Sequence, residues 1–327
     1  MKKILLAILI VAALASFFYL RFEPAKDIQW GLNFSIHQAG YLGLDWKETY
    51  LYILDDLKPK YLRLMAYWEI LEPDPGQFSF ADFNYQLEEA HKRGIKVILV
   101  LGSKQPRWPE CHHPAWYAAL DTQEKEEAVL QMLRAAVEHF RDFGAIKAWQ
   151  VENEPFFPYG PECPAISREL LRQEISLVKN LDLRPVIVTD SGEKGAWLPA
   201  AWVGADVFGS TMYRQVYHDK KMKYIKYPIP AALYRIKAGM VQTLSPIREF
   251  VGIELQAEPW FATNVYQTDW EDQKRLMNPE IFAEYIDYAR RAGFAENYLW
   301  GVEWWYWARQ QGHLEMWEAG KSVINNP

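Results

Sequence analysis

Cysteine is nearly absent from this chain, with two in 327 residues, Cys111 and Cys163. Two cysteines without metal-site spacing do not make a structural zinc centre. Free thiols are the leading expectation, and an exported chain leaves pairing open. An excess of positive charge is also missing. The formal net charge is −6, which argues against a nucleic-acid partner. No Gly-rich phosphate fingerprint follows the first strand-like run, which weakens a doubly wound nucleotide-binding sheet. Internal repeats, low-complexity tracts and Pro/Ser linkers are lacking too. The chain therefore reads as one domain, residues 27–327, behind a short N-terminal segment, residues 1–26.

That segment holds the long apolar run. Lys2 and Lys3 precede Ile4 to Leu20, which carry no charge. This is an export signal. Ala13-Leu14-Ala15 offers a cleavage site, but the run continues through Phe17, Phe18, Tyr19 and Leu20. Its helix would reach about 25 Å, at the short end of a bilayer span. A signal anchor is favoured over a cleaved, secreted form. The lysines then stay cytoplasmic and the rest lies outside.

From residue 28 onward, apolar strand-like runs alternate with amphipathic helical patterns. Strands are expected at 28–35, 60–68, 95–102, 146–155, 184–192, 205–214, 249–260 and 297–307. Near-continuous apolar strands are those buried on both faces. Eight such units predict an α/β fold, a single (β/α)8 TIM barrel preceded by an N-terminal hydrophobic helix.

Active sites of such barrels lie at the C-terminal ends of the strands. The fourth strand, "WQVENEP", ends in Asn153 and Glu154, and the seventh carries Glu254 in "GIELQ". Strands four and seven stand nearly opposite in an eight-stranded barrel, so the two carboxylates should face each other across the mouth. Paired carboxylates are what glycosidic bond cleavage requires.

Here the residues become specific. Asn-Glu-Pro after strand four and Glu on strand seven resemble the clan A retaining glycoside hydrolases. The stretch "WEILEPDPGQFSFADFNYQLEEAHKRGIKVILVLG", the "QPRWP" after it and "ELQAEPW" are similar to family 42 β-galactosidases and related cellulase-like families. The resemblance implies a barrel fold and roles residue by residue. Glu154 would be the acid/base and Glu254 the nucleophile. Asn153 would bind the sugar 2-hydroxyl, and Arg63 would keep Glu254 ionised. Tyr213 would contact the nucleophile. Trp305, at the end of strand eight, would be the platform under the sugar, with Trp304 its competitor for register. Glu258 is the rival nucleophile. Glu152 reads as a structural carboxylate, Asp190 as a cap or turn residue, and Glu303 as a partner of a sugar or an arginine. No cofactor is implied. His112 and His113 are adjacent and no carboxylate is spaced to join them, so no metal is expected.

The expected activity is retaining hydrolysis of β-glycosidic bonds in an oligo- or polysaccharide. The alternatives are an endo-acting β-glucanase or β-mannanase and an inactive glycan-binding barrel. Fifteen Trp suit sugar stacking. Residues 214–248 hold eight Lys or Arg against one acid, Asp219. This insertion is read as a solvated loop and helix, or as a surface near the membrane or a lid. The N-terminal segment supplies the membrane contact, and no protein partner is implied.

Overall fold

The computed structural model describes residues 2–160, 163, 165–218, 221–261 and 265–325. Ten strands form. They are β1 (Gln29–Phe34), β2 (Tyr61–Met65), β3 (Lys96–Leu101), β4 (Ile146–Val151), β5 (Val186–Asp190), β6 (Val207–Met212), β7 (Gln215–His218), β8 (Lys223–Lys226), β9 (Glu249–Gln256) and β10 (Glu296–Trp300). Eight of them, all but β7 and β8, close into a parallel barrel in the order β1-β10-β9-β6-β5-β4-β3-β2. This is the expected (β/α)8 TIM barrel.

Period-two alternation along each strand builds two interior layers. The lower one is dry: Tyr61, Ile98, Ala148, Ile187, Val207, Val251, Ile253 and Tyr298. Nearer the mouth, the same strands present Arg63, Gln150, Thr189 and Thr211, all buried and polar. The opposite faces of the strands pack on the helices in a larger apolar layer.

Strand β9 breaks the alternation near the mouth. Ser210 pairs with Gly252 but Thr211 with Glu254, so β9 gains a residue against β6. It does the same against β10, between Asn297 and Leu299. A bulge re-aims side chains. Here Ile253 and Glu254 both face inward, while Leu255 joins the outer layer.

The last strand is shorter than expected. The apolar run 297–307 is a strand only to Trp300; Gly301 then opens the helix Val302–Gln310. The run stays apolar because that helix is buried on nearly every side, at Val302, Trp304, Trp305, Tyr306 and Ala308.

The N-terminal helix, Lys2–Arg21, lies along the helix Ala231–Leu244. Gly239 makes this approach possible, since a Cβ there would meet the Phe18 carbonyl oxygen at 1.8 Å. The Arg235 guanidinium covers the Tyr19 ring at 3.8 Å. Phe22 sets its edge on Phe250 and Phe294. The basic stretch resolves into the antiparallel hairpin β7–β8 followed by that same helix; Asp219 and Lys220 lie outside the described residues.

Candidate active site

Arg63 organises the mouth. It is fully buried, and each of its three nitrogens donates to a polar partner. Nη1 donates to Glu254 Oε1 at 2.7 Å and Asn33 Oδ1 at 3.0 Å, Nη2 to Asn153 Oδ1 at 2.9 Å, and Nε to Gln150 Oε1 at 2.8 Å. The Tyr213 hydroxyl donates to the other Glu254 oxygen at 2.8 Å. A cation and a phenol thus hold this carboxylate by both of its oxygens. Asn153 gives its oxygen to Arg63, which turns its Nδ2 outward.

Glu154 is treated differently. The chain leaves β4 through Glu152 and Glu154, both with positive φ, 59° and 44°. Such left-handed backbone in non-glycine residues is strained and is kept at functional sites. The Glu154 amide donates to Thr189 Oγ1 at 2.8 Å. Its carboxyl oxygen lies 3.1 Å from Thr211 Oγ1. That hydroxyl also lies 3.1 Å from Glu193 Oε2 and accepts from Gly192 N at 3.1 Å.

A hydroxyl carries one proton, so one of the two carboxyls must bring its own. Glu193 receives the Tyr234 hydroxyl at 2.9 Å and the Tyr213 amide. Among the described residues no other group donates to the Glu154 carboxyl, which assigns the proton to Glu154. Burial, then the charges of Glu254, Glu110 and Glu193, push its pKa well above the ordinary value; Lys104 opposes them. Lys104 itself donates to the Glu154 and Phe157 carbonyls rather than to the carboxyl. Burial depresses its own pKa.

The loop after β3 closes one side. Cys111 and Cys163 form a disulfide with their Cα atoms 5.4 Å apart, which corrects the expectation of free thiols. Although far apart in sequence, the two cysteines lie on neighbouring loops, after β3 and β4. The bond fixes Glu110, whose φ is 76°, above Asn153 Nδ2 at 3.5 Å. Burial and then the Glu254 charge push Glu110 up to about 8, with Lys104 opposing. Arg107, on the same loop, lies 4.0 Å over the Trp300 ring. It also binds Glu258 and, at 3.1 Å, Glu303.

Trp305 is not the platform. It belongs to the helix Val302–Gln310, is fully buried, and donates Nε1 to the Ala257 carbonyl at 2.8 Å. Its ring meets Phe282 and the α-carbon side of Gly320, between outer helices. Trp304 is buried likewise, with Nε1 on Gln273 Oε1. The aromatic side chain at the end of β10 is Trp300, in phase with Tyr298 of the lower layer. Gly301 was its only marker, at φ 128°, where a Cβ would lie 2.4 Å from Glu258 Cβ.

The remaining acids have structural settings. Glu152 accepts the Ser103 and Lys104 amides at 2.8 and 2.6 Å. Asp190 caps a turn through the Ser191 and Trp197 amides. Glu258 is held by Arg107 rather than by Arg63. Glu303 accepts the Ser35 amide and Arg107.

A carboxylate does accompany His112, against expectation. Glu69 lies 2.8 Å from His37 Nε2 and 3.3 Å from His112 Nδ1. Among the described residues this trio brings His and carboxylate ligand atoms together, within 4.8 Å of one another. The Glu69–His112 hydrogen bond and the stacking of the His37 and His112 rings account for the arrangement. Missed from the sequence were Glu110, Glu193, Thr211, Arg107 and Trp300; the first two and Arg107 lie on loops, where no periodicity marks them.

No family model matches the chain, and no curated protein matches it. Solved structures do. A glycosylated endo-β-1,4-xylanase of glycoside hydrolase family 10 from Gloeophyllum trabeum superposes with a TM-score of 0.61 at 13% identity, over 92% of this chain and 97% of that one. GH5_18 from Bifidobacterium longum subsp. longum gives 0.59 at 12%, over 84% and 70%. Endo-glycoceramidase II from Rhodococcus sp. gives 0.54 at 14%, over 85% and 75%. The likeness is to members of families 5 and 10 rather than specifically to family 42. At these identities it is a likeness of fold: this chain has the barrel of the glycoside hydrolases it resembles.

Proposed function

We propose that this chain is a retaining β-glycosidase, exported and held at the membrane by its N-terminal helix. The observation that carries the reading is the unequal treatment of two carboxyls at one mouth. Glu254 is held by Arg63 and Tyr213, while the neighbouring Glu154 is buried and shares a single hydroxyl with Glu193. One is set up as an anion and the other as an acid, the division of labour that glycoside cleavage needs.

Thr211 stands between the two carboxyls, in contact with Glu154 and paired in register with Glu254, and this closeness is in keeping with retention, whose carboxyl pairs stand about 5–5.5 Å apart. Glu254 attacks the anomeric carbon and forms a glycosyl ester as the leaving oxygen takes the Glu154 proton. Glu154, now ionised, takes a proton from the water that cleaves the ester. Asn153 Nδ2 is positioned to donate to the 2-hydroxyl, a contact that strengthens in the transition state. Trp300, under Arg107, takes the platform role.

A specific observation favours an endo-acting form over a β-galactosidase-like one. Phe157, Tyr159, Trp260, Tyr213 and the exposed Trp108 form a run of ring contacts along the rim. Such a wall suits several sugar subsites. Two of the similar structures are an endo-xylanase and an endo-glycoceramidase, in keeping with this form.

The test is intact and peptide mass spectrometry of the full chain after incubation with activated 2-deoxy-2-fluoro β-glycosides of glucose, galactose, mannose and xylobiose. One adduct on Glu254 is expected. An adduct on Glu258 would reject the assigned nucleophile. An active enzyme that inverts the anomeric centre and forms no adduct would reject retention.

A further inference from the structure

The direction of the N-terminal helix says which side of the barrel meets the bilayer, given the tethering proposed above. Phe22 touches Phe250, at the start of β9, and Phe294, just ahead of β10. Both belong to the face opposite the mouth. One turn earlier, Phe18 lies beside Gly239, midway along the helix Ala231–Leu244. That helix descends from the mouth, because it follows β6 and leads back to the start of β9. Helical side chains lean toward the N-terminus, and Tyr19 reaches Arg235, one turn nearer the mouth than Gly239. The apolar helix therefore climbs past Ala231 and leaves the barrel on the mouth side.

Its apolar side chains are exposed along most of its length, Val11, Leu14 and Leu20 included. Ile4, Leu5, Leu6, Ile8 and Leu9 are each more than half exposed, and the span Lys3–Arg21 has a mean hydropathy of 2.4. The length is limiting. With Phe18 to Phe22 held against the barrel, the residues from Lys3 to Phe17 reach at most about 22 Å beyond it, short of a hydrocarbon core of about 30 Å. The helix can cross only if the rim beside it is drawn into the headgroups.

The rim carries the chemistry for that. Hairpin β7–β8 rises from the end of β6 on this side and exposes Lys221, Lys223 and Lys226. Between them stand Met222, 80% exposed, and Tyr224, 41% exposed. Lysines flanking apolar side chains are the pattern of a surface that inserts shallowly beside anionic lipid. Lys226 has one acidic neighbour, Glu284 at 3.5 Å, with both side chains mostly in solvent.

We propose that the barrel sits mouth-first on an anionic bilayer, with hairpin β7–β8 among the headgroups and the catalytic cleft opening toward the membrane surface. The glycan within its reach is then one carried at that surface.

The test places a dye at two depths in the full chain. Cys111 and Cys163 are bonded to each other, so Met222→Cys and Leu183→Cys each add one reactive thiol. Leu183, fully exposed, precedes β5 at the opposite face. The labelled proteins are reconstituted in phosphatidylcholine vesicles with and without phosphatidylserine, and quenched by nitroxide lipids. Quenching at position 222 but not at 183, lowered several-fold by Lys221→Glu with Lys223→Glu or by omitting phosphatidylserine, is expected. Equal quenching at both positions, quenching at 183 alone, quenching at neither, or quenching at 222 indifferent to charge would overturn the proposal. No substrate is involved, so the result stands apart from the glycosidase reading, and Glu254→Gln should quench as the parent does.

Discussion

Glu154 and Glu193 meet at one hydroxyl, that of Thr211, 3.1 Å from each. The hydroxyl cannot satisfy two anions, so the Glu193 charge holds a proton on Glu154. Removing that charge lowers the Glu154 pKa. The acid must be protonated to act, so activity falls as pH rises through its pKa. Glu193→Gln should therefore move the alkaline limb of kcat/KM to lower pH. A limb that stays in place, or moves up, would contradict the shared proton. Glu110→Gln should act in the same direction only above about pH 8, where Glu110 carries the charge that raises Glu154.

Glu154→Gln itself removes the acid. General acid–base catalysis contributes about 10²–10⁴-fold. The loss in kcat should be of that order with a poor leaving group and much smaller with an activated aryl glycoside. Equal losses with both substrates would assign Glu154 another role.

Tyr213→Phe tests the setting of Glu254. The hydroxyl donates to the carboxylate at 2.8 Å, and a hydrogen bond to a charged group is worth about 1.5–3 kcal/mol. Initial rates should show kcat/KM reduced by roughly ten- to a hundred-fold, with the urea midpoint little changed.

Two tryptophans separate platform from core. Trp300→Ala should raise KM and leave a folded protein. Trp305→Ala should destabilise by about 3–5 kcal/mol, the cost of emptying a large aromatic core site. Denaturation curves and Michaelis constants for the pair should be opposite in pattern.

Glu174 gives a stability prediction. It is fully buried in the helix Arg168–Leu181, and neither carboxyl oxygen has a hydrogen-bond partner. Burial, then Glu152, raises its pKa well above the ordinary carboxylate value. A group whose folded pKa is raised binds its proton more tightly in the native state. Its contribution is full below the unfolded pKa and is lost as pH climbs toward the folded one. Glu174→Gln should make stability less dependent on pH between 5 and 8, by up to about 1.4 kcal/mol per pH unit. Urea midpoints at the two ends of the range check this.

The barrel was legible because its strands are buried on both faces and read as apolar runs between amphipathic helices. Glu154, Glu254, Asn153, Arg63 and Tyr213 were legible as side chains at strand ends, and they converge. The Glu254 register was not. Simple alternation from Val251 would point Glu254 outward, and only the bulge at Ile253 turns it in. Trp305 was misplaced because hydrophobicity does not mark a strand passing into a buried helix. Glu110 and Glu193 stand on loops, where position follows from tertiary contacts such as the disulfide rather than from any local pattern. The disulfide itself joins cysteines whose nearness is set by the order of barrel strands.

That disulfide ties function to place. Reducing cytosol does not keep such bonds, so a chain still inside the cell would lack the tie between its third and fourth loops. Loop closure of this length is worth roughly 4 kcal/mol in the chain-entropy account. It falls on the segment carrying Glu110 and Arg107. A reducing compartment would therefore leave the loop around Glu110 and Arg107 looser than an oxidising one, so the shape of the cleft is coupled to the redox state of its surroundings.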